Sequence, residues 1–98
     1  MFVSARVLKL EKGYLQSYVN RFSEAVGKFG NIKGVIKSEI LVSEKNKEFD
    51  VLRFYTYWEN EEDYKAWHKS DEHKVGHKNG QKEKEGCLEW KGEEYFVI

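Results

Sequence analysis

The stretch Phe49-Asp50-Val51-Leu52-Arg53-Phe54-Tyr55-Thr56-Tyr57-Trp58 decides the fold. It is rich in branched and aromatic residues, and it alternates. Val51, Arg53, Tyr55 and Tyr57 face one way; Leu52, Phe54, Thr56 and Trp58 face the other. A period of two is the mark of a strand. Just before it, Glu44-Lys45-Asn46-Lys47 is a short polar turn. Before that turn, Val35 to Ser43 reads as another strand, with Ile36, Ser38, Ile40 and Val42 on one side. Two strands joined by a short polar turn make a hairpin.

Each arm of the hairpin is flanked by a helix and then a further strand. On the N-terminal side, Phe2 to Leu10 alternates loosely, with Phe2, Ser4, Arg6, Leu8 and Leu10 on one face and Val3, Ala5, Val7 and Lys9 on the other. Both faces are partly apolar, which suits a sheet covered on both sides. Arg6 is a charge amid a core-like face, so it needs a carboxylate or an anionic ligand. Glu11-Lys12-Gly13 reads as a turn. Tyr14 to Phe29 reads as a helix, because Leu15, Tyr18, Val19, Phe22, Val26 and Phe29 recur at three- and four-residue spacing. Gly30 fits its left-handed cap.

On the C-terminal side, Asn60 reads as a helix N-cap, with Glu61, Glu62 and Asp63 suited to the positive end of the dipole. The helix runs through Tyr64 and Trp67, and Ser70-Asp71-Glu72 reads as a second cap where it breaks and restarts. His73 and His77 then share one face of the second segment. Lys78 to Gly86 is polar and glycine-bounded, as in a loop. Cys87 to Trp90, a Lys91-Gly92 turn and Tyr95 to Ile98 complete the last strand.

The order β-α-β-β-α-β is the ferredoxin-like split arrangement, an α+β fold with an antiparallel sheet and both helices on one face. A single domain over residues 1–98 is expected. The face carrying Val3, Ala5, Val7 and the aromatics of the Phe49–Trp58 strand calls for a cover. A second copy of the same sheet is the simplest one, so a homodimer forming a shared α+β barrel is expected.

Composition narrows the function. The 17 basic residues balance 17 acidic ones, which argues against a dedicated nucleic-acid binder. One cysteine, Cys87, excludes an intrachain disulfide and fits a reducing compartment. No apolar run approaches the ~20 residues that span a membrane. No apolar core follows a basic start, so no signal peptide is expected. A cytoplasmic domain without nucleic-acid or membrane partners is the expectation.

Tyr64 to His77 departs from this regular scaffold. It holds all three histidines of the chain, His68, His73 and His77, and one of its three tryptophans. Imidazole is suited to metal ligation and proton transfer near neutral pH. Solvated helix histidines are the simpler reading on composition alone. A zinc site from His73, His77 and Cys87 has no CxxC or His-Glu pattern behind it.

Fold pattern, length and the Trp67–His77 stretch resemble the dimeric α+β barrel, antibiotic biosynthesis monooxygenase superfamily, and within it the IsdG-type heme-degrading monooxygenases. The resemblance covers roughly residues 2–80. It rests on Lys12-Gly13 before the first helix, Arg21-Phe22 within it, Tyr55-Thr56-Tyr57-Trp58 at the end of the hairpin, Trp67, Lys69-Ser70-Asp71, and His77 ten residues beyond the tryptophan. It implies a homodimer that binds heme as both substrate and cofactor and opens the porphyrin with O2 and an external electron donor, through an unknown reductase. It implies His77 as the axial iron ligand, Trp67 pressing on the ring, and Phe22 lining the pocket. Axial ligand, polarity and ring distortion are the protein's means of tuning such an iron.

One position departs from that pattern. Where the family has an asparagine on the first strand, hydrogen-bonding near the iron, this chain has Arg6. Arginine is larger and permanently charged. It has three options: donating to bound oxygen, gripping a heme propionate, or pairing with a carboxylate. Three functions therefore stand: a heme-degrading monooxygenase, a heme-binding protein without turnover, and a cofactor-free oxygenase or small-molecule binder of the same fold.

Overall fold

The computed structural model describes residues 1–69 and 85–98. Its elements are β1 (Phe2–Glu11), α1 (Leu15–Phe29), β2 (Val35–Ser43), β3 (Phe49–Trp58), α2 (Glu61–His68) and β4 (Cys87–Phe96). The strands form one antiparallel sheet in the order β2-β3-β1-β4. This is the expected ferredoxin-like α+β arrangement. The hairpin is β2–β3, and its turn is held by Asn46, whose Oδ1 accepts from the Glu48 amide at 2.8 Å.

The core lies between sheet and helices, in two clusters. The first joins Leu8 and Leu10 of β1, Leu52 and Phe54 of β3, and Tyr18 and Phe22 of α1. Leu8, Leu10 and Leu52 are fully buried, each contributing roughly 1.5–3 kcal/mol of transfer free energy. The second cluster joins Phe2, Trp58 and Tyr64, with Trp67 packed against it. Phe29 touches both, its ring 5.6 Å from Phe54 and 6.4 Å from Trp58. The fully buried Trp58 donates its indole N–H to Ser4 Oγ at 3.0 Å, which satisfies its one polar atom.

Asn60 caps α2, its Oδ1 accepting from the Asp63 amide at 2.9 Å. Gly34, with φ +89°, lies so close to the Asp63 side chain that a Cβ would overlap the carboxylate. The start of α2 is thereby seated against the start of β2. Asp50, buried on the helix side of β3, pairs with Lys12 Nζ at 2.6 Å. That ion pair ties the β1–α1 turn to the sheet.

Three expectations are corrected. Gly30 is right-handed at φ −60°, and the left-handed conformation falls instead at Gly13, Gly34 and Gly86. Ile36 does not join Ser38, Ile40 and Val42: a bulge between Val35 and Lys37 turns Val35 into the second cluster and leaves Ile36 about half exposed. Lys91-Gly92 is no turn. β4 runs unbroken through it, with Lys91 opposite Val7 and Gly92 opposite Arg6. The second cap at Ser70, the His73/His77 face and the loop as far as Lys84 lie outside the described residues.

On the other face of the sheet, Val3, Ala5 and Val7 are buried within the single chain. Arg53, opposite Val7, reaches Glu93, opposite Ala5, at 3.4 Å, so this pair bridges across β1. Tyr55, Tyr57 and Tyr95 flank the same strip. Among the described residues no helix is long and apolar enough to cross a membrane.

Candidate functional site

The helices do not cover the sheet evenly. α1 lies over β2 and β3, and α2 lies against β3. The helix side of β4 is left exposed at Trp90, Gly92, Glu94 and Phe96. β1 runs alongside, and between its two cluster-forming ends sit Ser4 and Arg6. Among the described residues, no helix covers the helix side of β1 and β4 at this level, which forms a floor. Phe22 stands on the α1 side, its ring 6.1 Å from Trp90, and Tyr64 stands on the α2 side.

Arg6 occupies this floor. It lies opposite Phe54 on β3 and Gly92 on β4. A Cβ on Gly92 would stand 3.1 Å from Arg6 Nη1, so the guanidinium lies over the β4 backbone and a side chain there would displace it by a few tenths of an ångström. Its neighbour is the Tyr64 hydroxyl, which feels its charge and its donor groups. Among the described residues no carboxylate forms an ion pair with Arg6. Burial pushes the Tyr64 phenol above its ordinary value; the Arg6 charge and hydrogen bond pull it back, and Glu94 pushes it up.

Trp67 is half buried, its ring 5.0 Å from Phe29, 5.8 Å from Trp58 and 6.4 Å from Tyr64. Packing on three aromatic rings fixes its plane. His68 is exposed on another face of α2, 5.7 Å from the Tyr64 ring, and lines a shallow cleft with Tyr64, Lys65, Lys69 and Glu94. The cleft carries two lysines and a histidine against one glutamate, although Lys65 also meets Glu61 at 3.6 Å.

Trp67 packs on the Tyr64 ring and the Arg6 charge acts on the same phenol, while Phe22 sits in the first cluster beside Phe54 and Trp90. His77, the expected axial ligand, lies outside the described residues, as does His73. Cys87 opens β4, packed against the first cluster, and its Sγ is 3.4 Å from the Glu89 carbonyl oxygen. Among the described residues no group of three metal-ligating side chains converges.

Sequence reading missed Tyr64, Trp90 and Gly92 as site residues. Tyr64 looked like one more helix aromatic, and Gly92 like a turn. The available signal was the alternation Trp90-x-Gly92-x-Glu94, which places the glycine on the same face as the tryptophan once β4 is read as one strand.

Comparison with known proteins agrees with this architecture. A heme-degrading monooxygenase of Halalkalibacterium halodurans is 31% identical over 65 residues, 66% of this chain. The match spans only 55% of that relative's length. A crystal structure from Bacillus cereus, described as a candidate antibiotic biosynthesis monooxygenase, superposes with a TM-score of 0.83 at 23% identity, covering 98% of this chain and 91% of the other. The heme degrader MhuD of Mycobacterium tuberculosis, with two hemes bound in its active site, superposes at 0.74 and 18% identity over 100% of this chain and 96% of its own. A dimeric protein of ferredoxin-like fold from Bacteroides fragilis superposes at 0.66 and 20% identity, over 98% and 96%. At these identities the structural matches speak for the fold alone. The model of the antibiotic biosynthesis monooxygenase family matches residues 1–79, most of the chain, and the chain belongs to that family.

Proposed function

We propose that this protein is a heme-degrading monooxygenase. The observation that supports this most directly is the helix side of β1 and β4, which the described helices leave uncovered and which carries the Arg6 cation with Trp90, Phe22 and Tyr64 beside it. That donor set fits a porphyrin: aromatic walls for the macrocycle and a guanidinium for an anionic substituent. The name of the Halalkalibacterium relative points the same way.

In this reading His77 would hold the iron, Phe22 would line the pocket, and Trp67, packed on Phe29 and Trp58, would press on the macrocycle. Bound heme supplies the redox-active iron, and O2 and an external donor supply oxygen and electrons. Phe22 and Trp90 keep water from one side of the site. Ser4 holds Trp58, and with it the aromatic stack behind Trp67. Two copies pair through the open sheet face, where Leu41, Tyr55, Tyr57 and Tyr95 stand at least partly exposed around the buried strip.

The test is a heme titration followed by ascorbate in air. Degradation appears as reductant-dependent loss of the Soret band. His77→Ala is expected to abolish the iron–imidazole signature, while His68→Ala and His73→Ala retain it; loss in His73→Ala instead would move the ligand to that residue. One observation favours a second reading, heme binding without turnover: Arg6 replaces the small amide that the family places near the iron. A Soret band that forms and survives ascorbate would establish it. Sedimentation at micromolar concentration checks the dimer, and a species of single-chain mass alone rejects it.

A further inference from the structure

The floor of the site carries a permanent charge that its protein partners leave half satisfied. Arg6 has five N–H donors and no acceptor. Among the described residues no carboxylate pairs with it, and its neighbour is the Tyr64 phenol. Gly92 opposite it supplies no side chain, and its backbone is open to solvent. The guanidinium therefore has donors that the described residues leave without a carboxylate, on a strand face it shares with the exposed Trp90. The adjoining cleft beyond Tyr64 is of mixed charge, Lys65 and Lys69 standing with Glu94, so the specific attraction for an anion rests on Arg6.

A guanidinium fork beside a phenol, on a strand face that also carries an exposed tryptophan, matches one ligand chemistry best: a carboxylate on a flat apolar body. We infer that Arg6, seated by Tyr64 and by the side-chain gap at Gly92, is the residue that selects a carboxylate-bearing ligand, taking one acid group of the porphyrin in a charge-assisted hydrogen bond. This rests on the heme reading proposed above. It gives Arg6 a specificity role instead of one at the iron. It also joins three residues that look unrelated in sequence. Glycine at position 92 leaves the Arg6 guanidinium room over β4, and the Tyr64 phenol lies within reach of its charge.

The test uses the full chain and metal-free protoporphyrin IX, so that iron ligation plays no part, against the dimethyl ester of the same porphyrin. The two share a shape and differ in charge. Binding is followed by quenching of tryptophan fluorescence. The wild-type protein should bind the acid about tenfold or more tighter than the ester, the usual range for a charge-assisted hydrogen bond. Arg6→Asn should erase that preference and leave ester binding unchanged. Arg6→Lys should keep part of it, having charge without the fork. Gly92→Ala, whose added methyl crowds Nη1, should reduce it in a chain that keeps its aromatic core.

The outcomes separate the two readings. Equal binding of acid and ester by the wild type overturns the carboxylate inference and leaves the porphyrin site standing. An acid preference that survives Arg6→Asn also overturns it, and assigns the selectivity to Lys65, His68 and Lys69. Binding of neither porphyrin overturns the heme reading and this inference together.

Discussion

Asp50 on β3 and Arg6 on β1 both stand on the helix side of a central strand, where a charge is costly unless it is paired. They are accommodated in opposite ways. Asp50 is buried and meets Lys12 at 2.6 Å, and Lys12 also donates to the Glu44 carbonyl oxygen at 3.3 Å, so turn, hairpin and sheet are tied at one point. Arg6 has a phenol, a glycine and an open side. The first arrangement closes the fold; the second leaves a charge available to something that is not part of the chain. The contrast lies in the partners, because both residues look equally out of place in the strand alternation.

The largest expected effect follows from that difference. Lys12→Ala leaves Asp50 buried without a counter-charge. Removing one member of a fully buried pair costs roughly 3–5 kcal/mol, but the Lys12 side chain is 40% exposed, and water will reach part of the gap. A loss of about 2 kcal/mol is expected, seen as a fall in Tm of roughly 10 °C. Arg6→Ala orphans no carboxylate and should cost under about 1 kcal/mol. If thermal melts show the two variants equally destabilised, Arg6 is a structural residue and the contrast fails.

Ser4, the neighbour of Arg6 on the same face, gives the intermediate case. Its hydroxyl is the acceptor for the Trp58 indole N–H, and Trp58 is fully buried. Ser4→Ala should cost about 1–2 kcal/mol through the unsatisfied donor. Urea midpoints compare the two sites directly. Ser4→Ala more destabilising than Arg6→Ala means that the small, unremarkable residue supports the aromatic stack while the charged one does not. The reverse order would make the floor part of the core.

How far these roles could be read in the sequence depended on whether the signal was local. The alternation in β1 and β3 and the three- and four-residue spacing of α1 are repeated patterns, and they placed Phe22 and Arg6 on the correct side. The Asn60 cap is likewise local chemistry, three residues from the amide it serves. The Lys12–Asp50 pair spans 38 residues and has no sequence signature. Gly92 was misread for a physical reason. Glycine after lysine has the composition of a turn, and only its register against Arg6 shows that it is a gap in a strand. The Ile36 bulge is a similar case, since one inserted residue reverses which side chain faces the core without altering composition. Tyr64 as the partner of Arg6 required both the α2 position and the β1 register, neither of which is visible in either segment alone.

The smallest expected effect probes that partnership by itself. Burial raises the Tyr64 phenol above its ordinary value, and Arg6, by charge and hydrogen bond, works against the rise. A phenol whose folded-state value is raised stabilises the fold fully below the unfolded value, about pH 10. Above that pH the unfolded chain releases its proton first, and stability falls until the folded-state value is passed. Removing Arg6 removes the opposing influence, so Arg6→Asn should raise the Tyr64 value further and steepen the alkaline loss of stability. Tyr64→Phe should remove this contribution in either background. Urea denaturation at a series of pH values above 9, for the wild type, Arg6→Asn, Tyr64→Phe and the double variant, isolates the coupling as a cycle. An alkaline limb that is the same with and without Arg6 would mean that the guanidinium does not rest on the Tyr64 hydroxyl in solution. The seat proposed for it on the floor of the site would then be lost as well.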